Sequence, residues 1–329
     1  MHSITKIGAA LLLTVAAAAA QAQGNPGVPG AFPNKPVRVI VPYPAGGIVD
    51  AVGRVITDKL SAMWGQPIIT EARPGANSNI GTEAVAKAQP DGHTWLITGP
   101  ALTANPSLST NAAWDPKKDF TGLGIAAWTS SAILVPAALP ANTLKEFVAL
   151  AKAKPGMNYG NPGTGSSIHL SMELFKQVAG IQLTAIGYKG QPPVITDLIG
   201  GQLDVAFVSI GLISQHVQSG KLKALGVIGQ SRAKLLPNVP TLIEAGYAEA
   251  GVVPWYAFFT RSGAPAEVTA KINADIAKVL ALPDVKERMD KLGGDAAQPM
   301  TVAEINRMIV SDTDKWAAVI KAGNIKLEQ

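Results

Sequence analysis

Cysteine is missing from all 329 residues, which excludes a disulfide scaffold, a thiolate metal site and a cysteine nucleophile. Charge clusters are missing too. The 28 Lys plus Arg against 23 Asp plus Glu leave a formal +5, and no Lys/Arg run exceeds two residues. A nucleic-acid footprint needs clustered cations, so a calculated pI of about 9.3 reflects only a thin excess, and that class of partner is set aside. Aromatic residues are scarce at 5 %, yet 47 % of the chain is hydrophobic, too apolar for a disordered polymer. At roughly 100–200 residues per domain, the length predicts two domains.

After the N-terminal segment, no window offers 18 uninterrupted apolar residues, so no later membrane span is expected. The N-terminal segment itself has Lys6, an apolar run from Ile7 to Ala20, and small residues at Ala20 and Ala22, the pattern of a secretory signal. Residues 1–22 are therefore expected to be a signal peptide cleaved near Ala22, and residues 23–31 a flexible Gly/Pro-containing leader. The mature chain is expected to be soluble and periplasmic.

What the chain does have is alternation. VRVIV at Val37–Val41 is followed by the turn PYPAGG at Pro42–Gly47 and a helical pattern with Val52, Ile56 and Leu60 on one stripe. Similar strand–turn–helix units recur through the loop NPGTGSS at Asn161–Ser167, the turn GYKGQPP after a strand near Leu183–Ala185, and the strand LDVAFV at Leu203–Val208. Two amphipathic helices close the chain and read as a lid over the first sheet. This pattern predicts α/β domains with largely parallel sheets. Strand-like runs near Ile133–Val135 and Trp255–Thr260 suggest two crossings between domains. Residues 32–132 and 253–329 would then form a discontinuous first domain and 133–252 an inserted second, with a hinged cleft between them.

Gly46 and Gly47 lie just ahead of a helix whose first turn carries Asp50, and glycines at a helix N-terminus bring backbone N–H groups to an anion. The alternative is a plain βα turn, since GGIVDAVG lacks the dinucleotide fingerprint. Gly160–Ser167 approximates a P-loop, but Ser166 stands where the phosphate-reaching lysine belongs, so nucleotide hydrolysis is not expected. Thr164, Ser166 and Ser167 can donate to a carboxylate or simply cap the helix. His2, His93, His169 and His216 show no zinc spacing, and no metal or cofactor is expected. Ser166 or Ser167 with His169 forms a conceivable hydrolase pair, although no G-x-S-x-G elbow occurs. Tyr43, Tyr188, Phe207 and Trp255 sit at strand ends or glycine turns, where rings wall a cleft or pack a core. Lys189 is the cation nearest the glycine loops.

These motifs, in this order, resemble the Bug family, the extracytoplasmic solute-binding subunits of tripartite tricarboxylate transporters. Matching stretches include FPNKPVRVIVPYPAGGIVD at Phe32–Asp50, ARPGANSNIG at Ala72–Gly81, GTGSSIHLSMELF at Gly163–Phe175, YKGQPPVITDLIGGQLDVAF at Tyr188–Phe207 and WYAFFTRSGAP at Trp255–Pro265. The resemblance implies a two-domain Venus-flytrap of the type II periplasmic-binding architecture that captures a small mono-, di- or aromatic carboxylate. Such a protein is no enzyme, works as a monomer, and delivers its ligand to integral membrane transporter subunits; a sensor that signals to a membrane receptor is the alternative. Carried over by motif, the ligand site comprises Tyr43, Pro44, Ala45, Gly46 and Gly47 from one domain and Thr164, Gly165 and Ser166 from the other. Tyr188, Gly190, Phe207 and Ser209 would lie nearby, with Gly99 and Pro100 near the ligand's distal end. The expected carboxylate donors are N–H groups and hydroxyls at Gly46, Gly47, Thr164, Gly165 and Ser166.

Overall fold

The computed structural model describes residues 32–109, 112–188, 190–229 and 231–325. Strand β1 (Val37–Val41) is apolar throughout except Arg38, because it lies inside a sheet with both faces covered. It leads through the glycine turn into α1 (Ile48–Trp64), whose buried stripe includes Val52, Ile56 and Leu60 and which Gly65 ends in a left-handed C-cap at φ +62°. Then follow β2 (Ile68–Ala72), α2 (Asn79–Ala86), β3 (Thr94–Thr98), α3 (Ala101–Leu108) and β4 (Phe120–Thr129).

The second half of the alternation comprises β5 (Ser131–Pro136), α4 (Leu144–Ala153), β6 (Met157–Asn161), α5 (Ser167–Ala179) and β7 (Leu183–Gly187). It continues with α6 (Gln191–Ile199), β8 (Val205–Ser209), α7 (Ile210–Gln218) and β9 (Leu222–Ile228). The chain then returns as β10 (Trp255–Arg261), α8 (Ala266–Ala281), α9 (Pro283–Lys291), β11 (Gly294–Ala296) and α10 (Val302–Ala322).

Two sheets result, in the orders β11-β4-β10-β3-β1-β2 and β7-β6-β8-β5-β9. They are mixed rather than largely parallel. β2, β1 and β3 run parallel, as do β7, β6 and β8, but β10 and β4 in one sheet and β5 and β9 in the other pair antiparallel. The antiparallel members are the strands that bring the chain into or out of each sheet. The chain leaves the first sheet at Ser130, between β4 and β5, and returns between β9 and β10. Apolar clusters line both faces of each sheet. A fifth cluster joins the two halves: Trp316, Val319 and Ile320 of α10 pack with Ala104 and Leu108 of α3 and with Leu170 and Leu174 of α5. The last helix is thus more than a lid over the first sheet. It reaches the second sheet's helix as well.

Candidate functional site

In each sheet the parallel strands aim their C-terminal ends the same way, so the helices that follow begin on one edge. Three of these helix starts meet at a cavity of about 320 Å³. The first wall is the β1–α1 turn with Tyr43, Pro44, Gly47, Ile48 and Val49, beside Gly99, Pro100 and Ala101 at the start of α3. Gly165, Ser166 and Ser167 at the start of α5 face it, and Asn77 and Tyr256 complete the lining. None of these residues is charged. Cavities of about 380 and 470 Å³ lie elsewhere; Lys35, Arg38 and Arg73 ring the first, each already paired with Asp91 or Glu71.

The first N–H groups of a helix have no intrahelical acceptor, and neither Gly47 nor Pro100 supplies a side-chain cap. Among the described residues, the N–H groups of Ile48, Val49 and Ala101 therefore stand unpaired at the cavity. Ser166 caps α5, its Oγ accepting from the His169 N–H at 3.3 Å. The glycine turns themselves are less available than the sequence suggests. Gly46 N–H donates to Asp50 Oδ2 at 2.9 Å and Gly47 N–H to the Pro44 carbonyl at 3.3 Å. Gly165 N–H donates to His169 Nδ1 and Ser166 N–H to the Gly163 carbonyl, both at 3.0 Å. The open donors thus sit one or two residues further on, at Ile48, Val49 and Ser167, together with the Ser166 and Ser167 hydroxyls.

Two tyrosines meet at the cavity. Tyr43 Oη lies 3.2 Å from Thr98 Oγ1, and burial pushes its phenol up against the opposing hydrogen bonds of Thr98, Ser78 and Gly99. Tyr256 is also raised, by burial and then by the Tyr43 phenol nearby. Strand alternation decides which β10 aromatic faces the cleft: Trp255 turns inward, its Nε1 donating to Asp312 Oδ2 at 2.7 Å, so Tyr256 faces the cavity instead. Asn77 sits in three successive left-handed residues, Ala76, Asn77 and Ser78 at φ +46°, +53° and +75°. Buried Asn105 holds them, donating to the Asn77 carbonyl at 2.6 Å and accepting from Asn77 Nδ2 at 3.0 Å. Sequence reasoning missed Asn77, Tyr256, Ile48, Val49 and Ala101. Asn and Gly in the Gly75–Asn79 run were the available sign of an unusual turn.

The structure brings Tyr43, Pro44, Gly47, Gly99, Pro100, Gly165 and Ser166 to the cavity. Ala45, Gly46 and Thr164 belong to the same two turns without lining it. Phe207 is fully buried in the second sheet's core, edge-on to Phe175 at 6.3 Å. Tyr188 donates to Asp197 Oδ2 at 2.6 Å, and burial with that carboxylate pushes its phenol up to about 12. Gly190, at φ +102°, donates to the Pro162 carbonyl, and Ser209 is bracketed by Gln191, whose Oε1 accepts its N–H at 2.8 Å and whose Nε2 donates to its Oγ at 3.0 Å. These four brace the second half rather than line the cavity. Lys189 lies outside the described residues. The His169 imidazole is committed to Gly165 N–H and turned toward Glu173, not to either serine hydroxyl.

Residues 52–325 match the tripartite tricarboxylate transporter family receptor. The chain belongs to this family. It is 30 % identical to the protein BugT of Bordetella pertussis over 302 residues, 90 % of this chain and 92 % of that one. Among solved structures, the periplasmic binding protein BugD is 29 % identical with a TM-score of 0.74, covering 90 % of this chain and all of its own. An R. palustris protein with adipate is 28 % identical with a TM-score of 0.76, covering 91 % of this chain and all of its own. The two-domain α/β architecture is that of periplasmic solute-binding proteins.

Proposed function

We propose that this family member binds a small carboxylate in the cavity between its two sheets and delivers it to integral membrane transporter subunits. The observation that carries the reading is the meeting of three helix N-termini at a cavity whose described lining is uncharged. Unpaired N–H groups and helix dipoles there favour an anion, each dipole contributing about 0.3–1 kcal/mol when exposed and up to about 2 when partly buried. The ligand carboxylate sits between Ile48–Val49 and Ser166–Ser167, and Tyr43, Tyr256 and Asn77 read the rest of the molecule. Adipate in a relative's structure supports this ligand class. The two lobes, residues 32–132 with 253–329 and residues 133–252, close around the ligand as a monomer. The protein acts in the periplasm without catalysing a reaction; the segment expected to export it, residues 1–22, lies outside the described residues.

A thermal-shift screen of mono-, di-, tri- and aromatic carboxylates tests the reading. A ligand at 100 times its Kd stabilises the fold by about 2.7 kcal/mol. Failure of every acid to shift the refolded protein would sink the proposal.

A further inference from the structure

The two glycine turns are one geometry built twice. Gly46 and Gly165 share the same φ, +79°. In each turn the following residue donates its N–H to the carbonyl three residues back, Gly47 to Pro44 and Ser166 to Gly163. In each, the third helical residue reaches back to the glycine: Asp50 Oδ2 accepts Gly46 N–H at 2.9 Å, and His169 Nδ1 accepts Gly165 N–H at 3.0 Å. Both acceptors are buried, at 5 % exposure. What differs is the chemistry of the acceptor.

Resting on the carboxylate-binding reading above, we infer that Asp50 and His169 are paired positioning residues that lock the two ligand turns, and that protons release only the His169 lock. A carboxyl group keeps acceptor lone pairs whether or not it carries a proton, and Arg54 Nε holds the other oxygen of Asp50 at 2.9 Å. An imidazole Nδ1 accepts only when it is bare. Its bond to Gly165 places the proton on Nε2, which faces Glu173 Oε1 at 3.9 Å. Protonating Nδ1 would set two N–H donors against each other, and either the ring or the Gly163–Ser166 turn must move.

The charged and titratable groups around the ring are Glu173 and Lys176 on its own helix and Tyr159 from β6. Tyr159 stacks on the imidazole at 6.4 Å and donates to Glu173 Oε1 at 2.5 Å, while Lys176 Nζ holds the same oxygen at 2.7 Å. Glu173 is therefore already engaged twice. Burial holds the imidazole below its usual value, with Glu173 opposing and Lys176 assisting, so release falls on the acid side of about 6.5.

The test reads the Gly165 amide of the whole protein by ¹⁵N NMR and hydrogen exchange across pH, with Gly46 as internal reference. Asp50 shows that a side chain of its length spans the gap, so His169→Asn keeps an acceptor that does not titrate, whereas His169→Leu removes it. The expected result is a single titration of the wild-type Gly165 amide below about pH 6.5, no titration in His169→Asn, and exchange at least about tenfold faster in His169→Leu. Gly46 should stay flat in all three. A wild-type Gly165 amide that ignores pH, or one unchanged in His169→Leu, overturns the lock. Calorimetry with adipate, malate and benzoate as probes reads the consequence: between pH 7.5 and pH 5 the wild type loses about tenfold more affinity than His169→Asn, whose smaller loss reports protonation of the probe carboxylates themselves. Equal pH dependence in both overturns the coupling to binding. Absence of binding by every probe counts against the carboxylate reading, while the amide result still decides the lock.

Discussion

A single methyl group separates two kinds of glycine in the first lobe. At Gly46 an added Cβ meets nothing within 4 Å, but φ is +79°. The cost of Gly46→Ala is therefore backbone strain of about 1–2 kcal/mol, not a clash. At Gly81 the backbone is ordinary, yet a Cβ would lie 2.8 Å from the Arg73 carbonyl and 2.9 Å from Pro42 Cα, atoms that cannot swing away. Gly81→Ala should cost more than Gly46→Ala in urea denaturation, and the reverse order would show that strain outweighs packing in this turn. The glycine turns were legible at residue level because positive φ leaves a compositional mark, although the N–H donors expected at Gly46, Gly47, Gly165 and Ser166 are paired within the turns. Residue-level reading failed for the β10 aromatics, where only strand parity against the finished sheet puts Tyr256 in the cavity and Trp255 on Asp312.

At the scale of elements, most strand and helix positions were visible in apolar runs and stripes, whereas β4 was not. Its sequence, FTGLGIAAWT, carries two glycines that depress strand propensity. They are there because helices need the space: a Cβ at Gly122 would lie 2.2 Å from Ile305 Cγ2 of α10, and one at Gly124 2.8 Å from Ile276 Cγ2 of α8. Gly122→Ala should overpack this layer and cost about 1–3 kcal/mol, read as a lower urea midpoint at unchanged slope. Helix α3 was hidden by Pro106 within it. The packing of α8 on α1 also has a pH signature. Asp275 accepts from Trp64 Nε1, Lys271 Nζ and Lys278 Nζ, and these bonds outweigh burial to hold its carboxyl at about 2. The folded-state value lies below the unfolded one, so the stabilisation is full above about pH 4 and is lost as pH falls through about 2. Asp275→Asn should flatten that acid limb by about 2 kcal/mol; an acid limb identical to wild type would remove Asp275 as its source.

For the molecule as a whole, the question is what ties the two halves together besides the covalent crossings. One tie is apolar: the cluster around Trp316, which is 2 % exposed and packed against α3 and α5. Gln177 Nε2 of α5 also donates to the Val319 carbonyl of α10 at 3.0 Å. A further tie is ionic, Lys234 Nζ to Asp290 Oδ2 at 2.9 Å, joining the segment after β9 to the end of α9. The apolar and ionic ties should respond oppositely to mutation. Trp316→Ala removes a large buried side chain, and about 3–5 kcal/mol of stability should go with it. Lys234 is 71 % exposed, so solvent screens its pair and it contributes little to the stability of the fold. Its leverage would be on orientation, because a small free energy suffices to shift an equilibrium between lobe arrangements wherever these lie within a few kcal/mol of each other. Lys234→Ala should therefore leave the melting temperature nearly unchanged yet raise the radius of gyration in small-angle scattering. High salt, which screens an exposed pair, should reproduce that expansion in the wild type and add nothing in the variant. A radius of gyration identical in the two proteins at low salt would remove the Lys234 pair as a determinant of how the lobes face each other.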